Sequence, residues 1–155
     1  MITLRRVTGE DRGLLYNVFQ KFLHEMTAYY DNPLDDAGNY DYGWFDSYFE
    51  ESDREALLIY RDDRLAGFAM LNRVSYFGGQ PDHVMAEFTV FPHFRRQGTG
   101  REAVRQLFAR YPGSWEIKYN RHNLPAGHFW TVLTGPYSPE VRLYSEDEAV
   151  LLFTV

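Results

Sequence analysis

The stretch Arg95-Arg96-Gln97-Gly98-Thr99-Gly100 constrains this chain more than any other. Before it, over residues 84–91, Val84, Ala86, Phe88 and Val90 alternate with His83, Met85, Glu87 and Thr89, the period of a strand. After it, Val104, Leu107, Phe108 and Tyr111 form one face of a helix that Pro112-Gly113 ends. Strand, cationic glycine-rich turn and helix together make a phosphate cradle. Glycine lets the backbone approach an anion closely and take positive φ. The first N–H groups of a helix have no partner inside it, and the helix dipole favours an anion there.

Two common phosphate sites do not fit. The Walker pattern GxxxxGK[ST] is absent, and no lysine lies near the glycines. Gly98-x-Gly100-x-x-Ala103 satisfies a loose dinucleotide fingerprint, but in that fold the glycines follow the first strand. Here at least four strand candidates precede the turn, and only 55 residues follow it.

The rest of the chain reads as a mixed α/β domain spanning residues 1–155, in the order β-α-α-β-β-β-α-β-α-β-β. Residues 4–7 suit a short strand. Thr8-Gly9-Glu10-Asp11 resembles a capping box, and Leu15, Val18, Phe19, Phe22, Leu23 and Met26 predict a helix over residues 10–29. Residues 31–42 are a loop rich in Asp, Asn and Gly, and residues 44–49 predict a short second helix. Residues 56–60 and 65–74 form a hairpin around Asp62-Asp63, with Gly67 weakening the second strand or marking a bulge. Residues 115–119 form a strand. Asn123 caps a helix over residues 124–133, with Pro125 in its first turn. Residues 141–144 and 149–155 close the sheet.

Composition excludes several classes. With 45% hydrophobic and 17% aromatic residues the chain is globular, and no apolar run approaches the roughly 20 residues of a membrane helix. No signal-peptide layout opens it, so a cytoplasmic location is expected, without membrane association. Having no cysteine, it has no thiol nucleophile and no cysteine metal site. The five histidines lack metal-ligand spacing, so no metal is expected. A net charge of −6 argues against nucleic-acid binding. The distribution is polarised: residues 31–55 carry nine acids and one base, whereas residues 95–110 carry five arginines and one acid. Such polarity fits two ligands of opposite charge, or two solvated faces.

The segment Val90-Phe91-Pro92-His93-Phe94-Arg95-Arg96-Gln97-Gly98-Thr99-Gly100 resembles motif A of the GNAT acetyltransferases, a strand ending in Val followed by a Pro-containing turn and [QR]-x-x-G-x-[GA]. The hairpin 57–69, the strand 115–119 and Asn123-x-x-Ala126-x-x-Phe129-Trp130 are similar to the family's segments in the same order. Glu87-Phe88-x-Val90 with Pro125-Ala126-x-x-Phe129-Trp130 also resembles a bacterial branch of mostly unassigned substrate. The resemblance implies a GNAT-like fold: a mostly antiparallel mixed sheet with a splayed parallel strand pair, flanked by helices. It implies acetyl-CoA as co-substrate, its pyrophosphate on Arg95, Arg96, Gln97, Gly98, Thr99 and Gly100. The pantetheine arm would pair with Phe88, Thr89 and Val90, and Asn123 would contact it from the next helix. It leaves a homodimer open.

Acetyl transfer to an amine needs a neutral amine, an oxyanion donor and a departing thiolate. A lysine-like amine has an ordinary pKa near 10.4, so a base is useful. Glu87, an acid in an apolar strand three residues before Val90 and opposite Phe88 and Val90, is the candidate catalytic base. A backbone N–H near Val90 is the expected oxyanion donor. Many GNAT enzymes carry a tyrosine acid where this chain has Trp130, and an indole N–H does not serve. Tyr137 or Tyr119 would replace it, or the thiolate would leave unaided. Aromatics and carboxylates between residues 29 and 49 suit a cationic or amine acceptor. Tyr29, Tyr30 and Trp44 are its candidate contacts, whereas Phe45 and Phe49 are expected to pack the core. The function implied is N-acetyl transfer from acetyl-CoA to a primary amine of a small molecule or protein; the alternative is a non-catalytic acyl-CoA-binding or regulatory module.

Overall fold

The computed structural model describes every residue from Met1 to Val155. The alternating runs become seven strands: β1 (Ile2–Arg6), β2 (Glu55–Arg61), β3 (Arg64–Asn72), β4 (His83–Val90), β5 (Ser114–Asn120), β6 (Glu140–Leu143) and β7 (Glu148–Thr154). The helical repeats become α1 (Arg12–Met26), α2 (Ser47–Glu50), α3 (Thr99–Arg110) and α4 (Leu124–Thr134). The strands form one sheet in the order β1-β2-β3-β4-β5-β7-β6, antiparallel everywhere except between β4 and β5. No helix is long and apolar enough to cross a membrane.

Successive residues of the central strands point to opposite faces, so the sheet carries two cores. On one face α1 packs Leu15, Phe19, Phe22 and Leu23 against Leu58, Phe68 and Met70, and Phe45 and Tyr48 complete the layer. On the other, α3 and α4 pack Val104, Leu107, Phe108 and Trp130 against Leu57, Ala69, Leu71, Trp115 and Ile117.

α1 is shorter than its apolar repeat predicts, and both ends have local causes. At the start, Gly9–Asp11 is a 3₁₀ turn. The Asp11 carboxylate accepts from the Thr8 N–H at 2.9 Å and from Arg5 at 3.0 Å. At the end, the Thr27 hydroxyl donates to the His24 carbonyl at 2.6 Å, competing with the helical ladder. α2 begins three residues late because residues 44–46 form successive turns.

Two bulges re-aim side chains near the middle of the sheet. On β3, Ile59 pairs with Gly67 and Tyr60 with Leu65, leaving Ala66 extra, one residue from the glycine that marked the spot. A side chain at Gly67 would meet the Thr89 carbonyl of β4 at 2.1 Å. On β4, Met70 pairs with Glu87 and Leu71 with Met85, leaving Ala86 extra. This corrects the simple alternation: Met85 and Phe88 share the α3–α4 core, while Ala86 joins the α1 core.

The parallel pair is short. His83 pairs with Trp115, Val84 with Glu116 and Met85 with Ile117, and there it stops. β4 continues along β3 to Val90, and β5 continues along β7 to Asn120. A wedge therefore opens between residues 87–90 and 118–120, in the middle of the sheet.

Candidate active site

The glycine turn stands at the end of β4, beside the wedge. A 3₁₀ turn over Pro92–Phe94 leads into it, and α3 starts at Thr99. Arg96 and Gly98 take left-handed conformations, with φ of 59° and 79°. Gly98 adopts this at no steric cost, whereas Arg96 holds a conformation uncommon for a side-chain-bearing residue. None of the backbone N–H groups from Arg96 to Arg101 donates a hydrogen bond within the protein. They form a run of unused donors at a helix start, the arrangement that suits a pyrophosphate.

Neighbouring side chains brace this turn. The Arg61 guanidinium donates to the Gln97 carbonyl at 2.9 Å and to the buried Thr99 hydroxyl at 2.8 Å. The Gln97 amide donates to the His93 carbonyl at 2.7 Å. Arg95 Nε donates to the Val90 carbonyl at 2.6 Å, and its terminal nitrogens grip Glu25 of α1. Gly100 lies under the Phe129 ring, where an added Cβ would come within 3.0 Å.

The wedge presents main chain on its β4 side. The Phe91 N–H donates to the carbonyl of Ala66, the bulged residue of β3, at 2.7 Å. Strand alternation then turns the Val90 N–H away from β3, toward the gap. Phe88 stacks on Phe129 at 5.7 Å and meets Trp130 edge-on at 5.2 Å, fixing α4 against β4. Asn123 caps α4, its side-chain oxygen accepting from the Ala126 N–H at 3.2 Å. Its amide donors have no protein partner.

Glu87 lies on the other face of β4. It keeps partial contact with solvent at the floor of a site crowded by protein. Burial pushes its carboxyl up to about 7, against the opposing pull of the Lys118 charge and a loose polar contact with the Tyr42 hydroxyl. Tyr30, Tyr42, Tyr48 and Tyr76 surround it. Burial raises each phenol, and the Glu87 charge adds to each. Lys118 of β5 is held by Glu148 of β7 at 2.8 Å, and the Tyr30 hydroxyl donates to the same carboxylate at 3.0 Å. Burial alone would raise Glu148; Lys118 and Tyr30 outweigh it and hold the carboxyl below its ordinary value.

Tyr30 thus stands near Glu87, and Tyr29 is half-buried at the end of α1. Trp44 is 61% exposed on the outer surface, with the Arg54 guanidinium over its ring at 5.2 Å. Phe45 and Phe49 pack into the α1 core. Trp130 is 6% exposed and part of the α3–α4 core. Tyr137 packs on Phe108 and Phe153, at the end of the sheet where β4 and β5 are still paired. Tyr119 leans on α4 at Gly127.

Sequence reasoning missed Tyr76, Lys118, Glu116 and Glu148. Glu116 is a buried β5 carboxylate that accepts from the Ser75 hydroxyl at 2.6 Å and the Tyr76 N–H at 2.9 Å. It pins the β3–β4 loop so that Tyr76 hangs over the site. A charge inside each of two short apolar strands was the available signal.

Comparison with known proteins decides the family. Residues 18–133 match the model of the Acetyltransferase (GNAT) family. The chain belongs to the GNAT acetyltransferases. Its fold is similar to that of an acetyltransferase from Thermus thermophilus, with a TM-score of 0.73 and 14% identity, covering 100% of this chain and 97% of that one. It also resembles the PaiA N-acetyltransferase of Thermoplasma acidophilum in complex with coenzyme A, at a TM-score of 0.64 and 13% identity over 100% and 99% of the two chains. A third GNAT fold, NAA60 of Arabidopsis thaliana in complex with acetyl-CoA, gives 0.66 and 12% over 100% and 99%. A search of curated proteins finds no match in sequence.

Proposed function

We propose that this GNAT acetyltransferase moves the acetyl group of acetyl-CoA to a primary amine by direct attack in a ternary complex. The observation that carries the reading is Glu87, a carboxyl raised to about 7 on one face of β4, beside a wedge whose other end is the phosphate-suited turn. Donor and acceptor would then meet across a single strand. The N–H groups from Arg96 to Arg101 would hold the pyrophosphate, and residues 88–90 would pair with the pantetheine arm. The Asn123 amide, with no partner in the protein, is free to meet that arm.

Glu87 takes the proton that the ammonium of the acceptor must lose. A base near 7 is about half ionised at neutral pH and basic enough to accept a proton, the compromise that favours general-base catalysis. The tyrosine ring faces would hold the incoming ammonium beside Glu87 until that proton is passed on. The Val90 N–H, aimed into the gap, is the donor nearest to where the tetrahedral oxyanion forms. Tyr137 lies at the closed end of the parallel pair, so the remaining phenol for the departing thiolate is Tyr119, which lines the wedge and leans on α4; otherwise the thiolate leaves unaided. Release of free thiol from acetyl-CoA across a panel of amines tests this reading. Turnover supports it; tight acetyl-CoA binding with no turnover on any amine favours the binding-module alternative, which the buried Trp130 indole motivates.

A further inference from the structure

Resting on that assignment, the side chains around Glu87 also constrain the acceptor. Five tyrosines reach the region from four different segments. Tyr48 is buried, Tyr42 and Tyr76 are half-buried, and Tyr30 and Tyr144 are exposed at the rim. Tyr76 and Tyr144 meet edge-on at 5.3 Å.

The cation whose charge reaches Glu87, Lys118, already has a partner, and so do three arginines nearby. The Lys118 ammonium lies 5.1 Å from the ring centroids of both Tyr76 and Tyr144 and is held by Glu148. Arg54 lies 5.2 and 5.6 Å over the Trp44 and Tyr48 rings and pairs with Glu51 at 3.4 Å, its side chain only 10% exposed. Arg95 is taken by Glu25, and Arg142 by Glu140. The acids differ. Glu87 forms no salt bridge, Lys118 acting on it only from beyond ion-pair distance, and Glu116 is held by neutral donors alone. A carboxylate or phosphate arriving beside Glu87 finds Lys118 already paired with Glu148 and faces two further carboxylates and tyrosine ring faces. An alkylammonium finds a carboxylate and several aromatic faces.

We infer that the acceptor is an aliphatic amine bearing no anionic group, rather than an amino acid or a phosphorylated amine. Discrimination against anionic acceptors follows from the sequestration of Lys118 by Glu148, so freeing Lys118 relaxes it.

The test compares 1-aminopentane, 1,5-diaminopentane and 5-aminopentanoate, which share one chain length. Steady-state acetylation is expected to give kcat/KM at least tenfold higher for the first two than for the carboxylate. Glu148→Gln, with folding checked by circular dichroism, is expected to narrow that ratio by raising the activity on 5-aminopentanoate. Equal or better use of 5-aminopentanoate by the native chain overturns the inference. If no amine is acetylated, the proposed transfer itself fails. Calorimetric binding of the same three amines to the acetyl-CoA-loaded protein then still decides: preference for the two without carboxylate supports the inference, whereas binding of the carboxylate alone, or of none, overturns it.

Discussion

Arg95 grips Glu25 with both terminal nitrogens, at 3.0 and 2.7 Å, while its Nε holds the Val90 carbonyl. One side chain therefore ties the end of α1, on the proposed acceptor face, to the end of β4, where the proposed donor turn begins. Both partners of the ion pair are 40% exposed, so the pair alone adds little to stability, about 0–1 kcal/mol. Glu25→Gln is expected to shift the melting temperature by only a few degrees. Arg95→Ala also frees the Val90 carbonyl, and it is expected to weaken acetyl-CoA binding at least tenfold by calorimetry.

Glu87→Gln separates catalysis from stability. Loss of a general base costs roughly 10²- to 10⁴-fold, so kcat should fall within that range. For the native chain kcat should rise with pH through a limb near 7, and that limb should vanish in the variant.

The same substitution has the opposite effect on folding. Glu87 is raised in the folded state from 4.5 to about 7, so the folded protein binds more protons than the unfolded chain between those values. Native stability therefore declines as pH climbs from about 4.5 to 7, by an amount on the order of 2–3 kcal/mol. Glutamine does not titrate. Denaturant melts at pH 4 and pH 8 should show the variant gaining on the native chain at the higher pH.

Asn123 has two separable duties. Asn123→Asp keeps an N-cap oxygen and adds a charge suited to a helix start, so stability should hold. It removes the amide donors, and KM for acetyl-CoA should rise several-fold. Asn123→Ala should raise KM as well and also lower stability by about 0.5–2 kcal/mol. Equal KM values for Asn123→Asp and the native chain would remove Asn123 from the donor site.

Gly67→Ala should be among the most damaging small substitutions. The new Cβ meets backbone at 2.1 Å, which no rotamer change relieves, so β3 and β4 must part beside the open end of the wedge. Gly9→Ala, with nothing within 4 Å, serves as the control. Soluble yield and thermal melts of the two should differ sharply.

The fold was legible because its signals are local. Strand alternation, the Thr8–Asp11 cap, Asn123 and the glycine turn each announce themselves within a few residues. The bulge at Ala86 was not, since one extra residue in β4 is visible only against its partner β3. The glycine turn proposed for the donor is a contiguous motif, and its unused N–H groups follow from backbone geometry. The acceptor face is built from α1, the loop before α2, the β3–β4 loop, β5 and β7, and only tertiary packing brings Tyr76, Lys118 and Glu148 to Glu87. Trp44 is a candidate contact in sequence, yet it points outward while Tyr48 turns inward, because residues 43–46 are turns and only Ser47–Glu50 is helical, so helical spacing does not relate the two.

A sheet that comes unstitched along one seam would ordinarily be a hazard, since bare strand edges recruit other chains. Here the seam lies between β4 and β5, in the interior of the sheet, and it remains closed at one end by the three register pairs ending at Met85 and Ile117. Another protein's strand would need a full inter-strand spacing on both sides, about 4.8 Å each, along its whole length. A wedge that tapers to nothing gives that room only near its mouth. The opening thus has the shape of a gauge of thickness, closing toward Met85 and Ile117, and an added strand cannot pair along its full length.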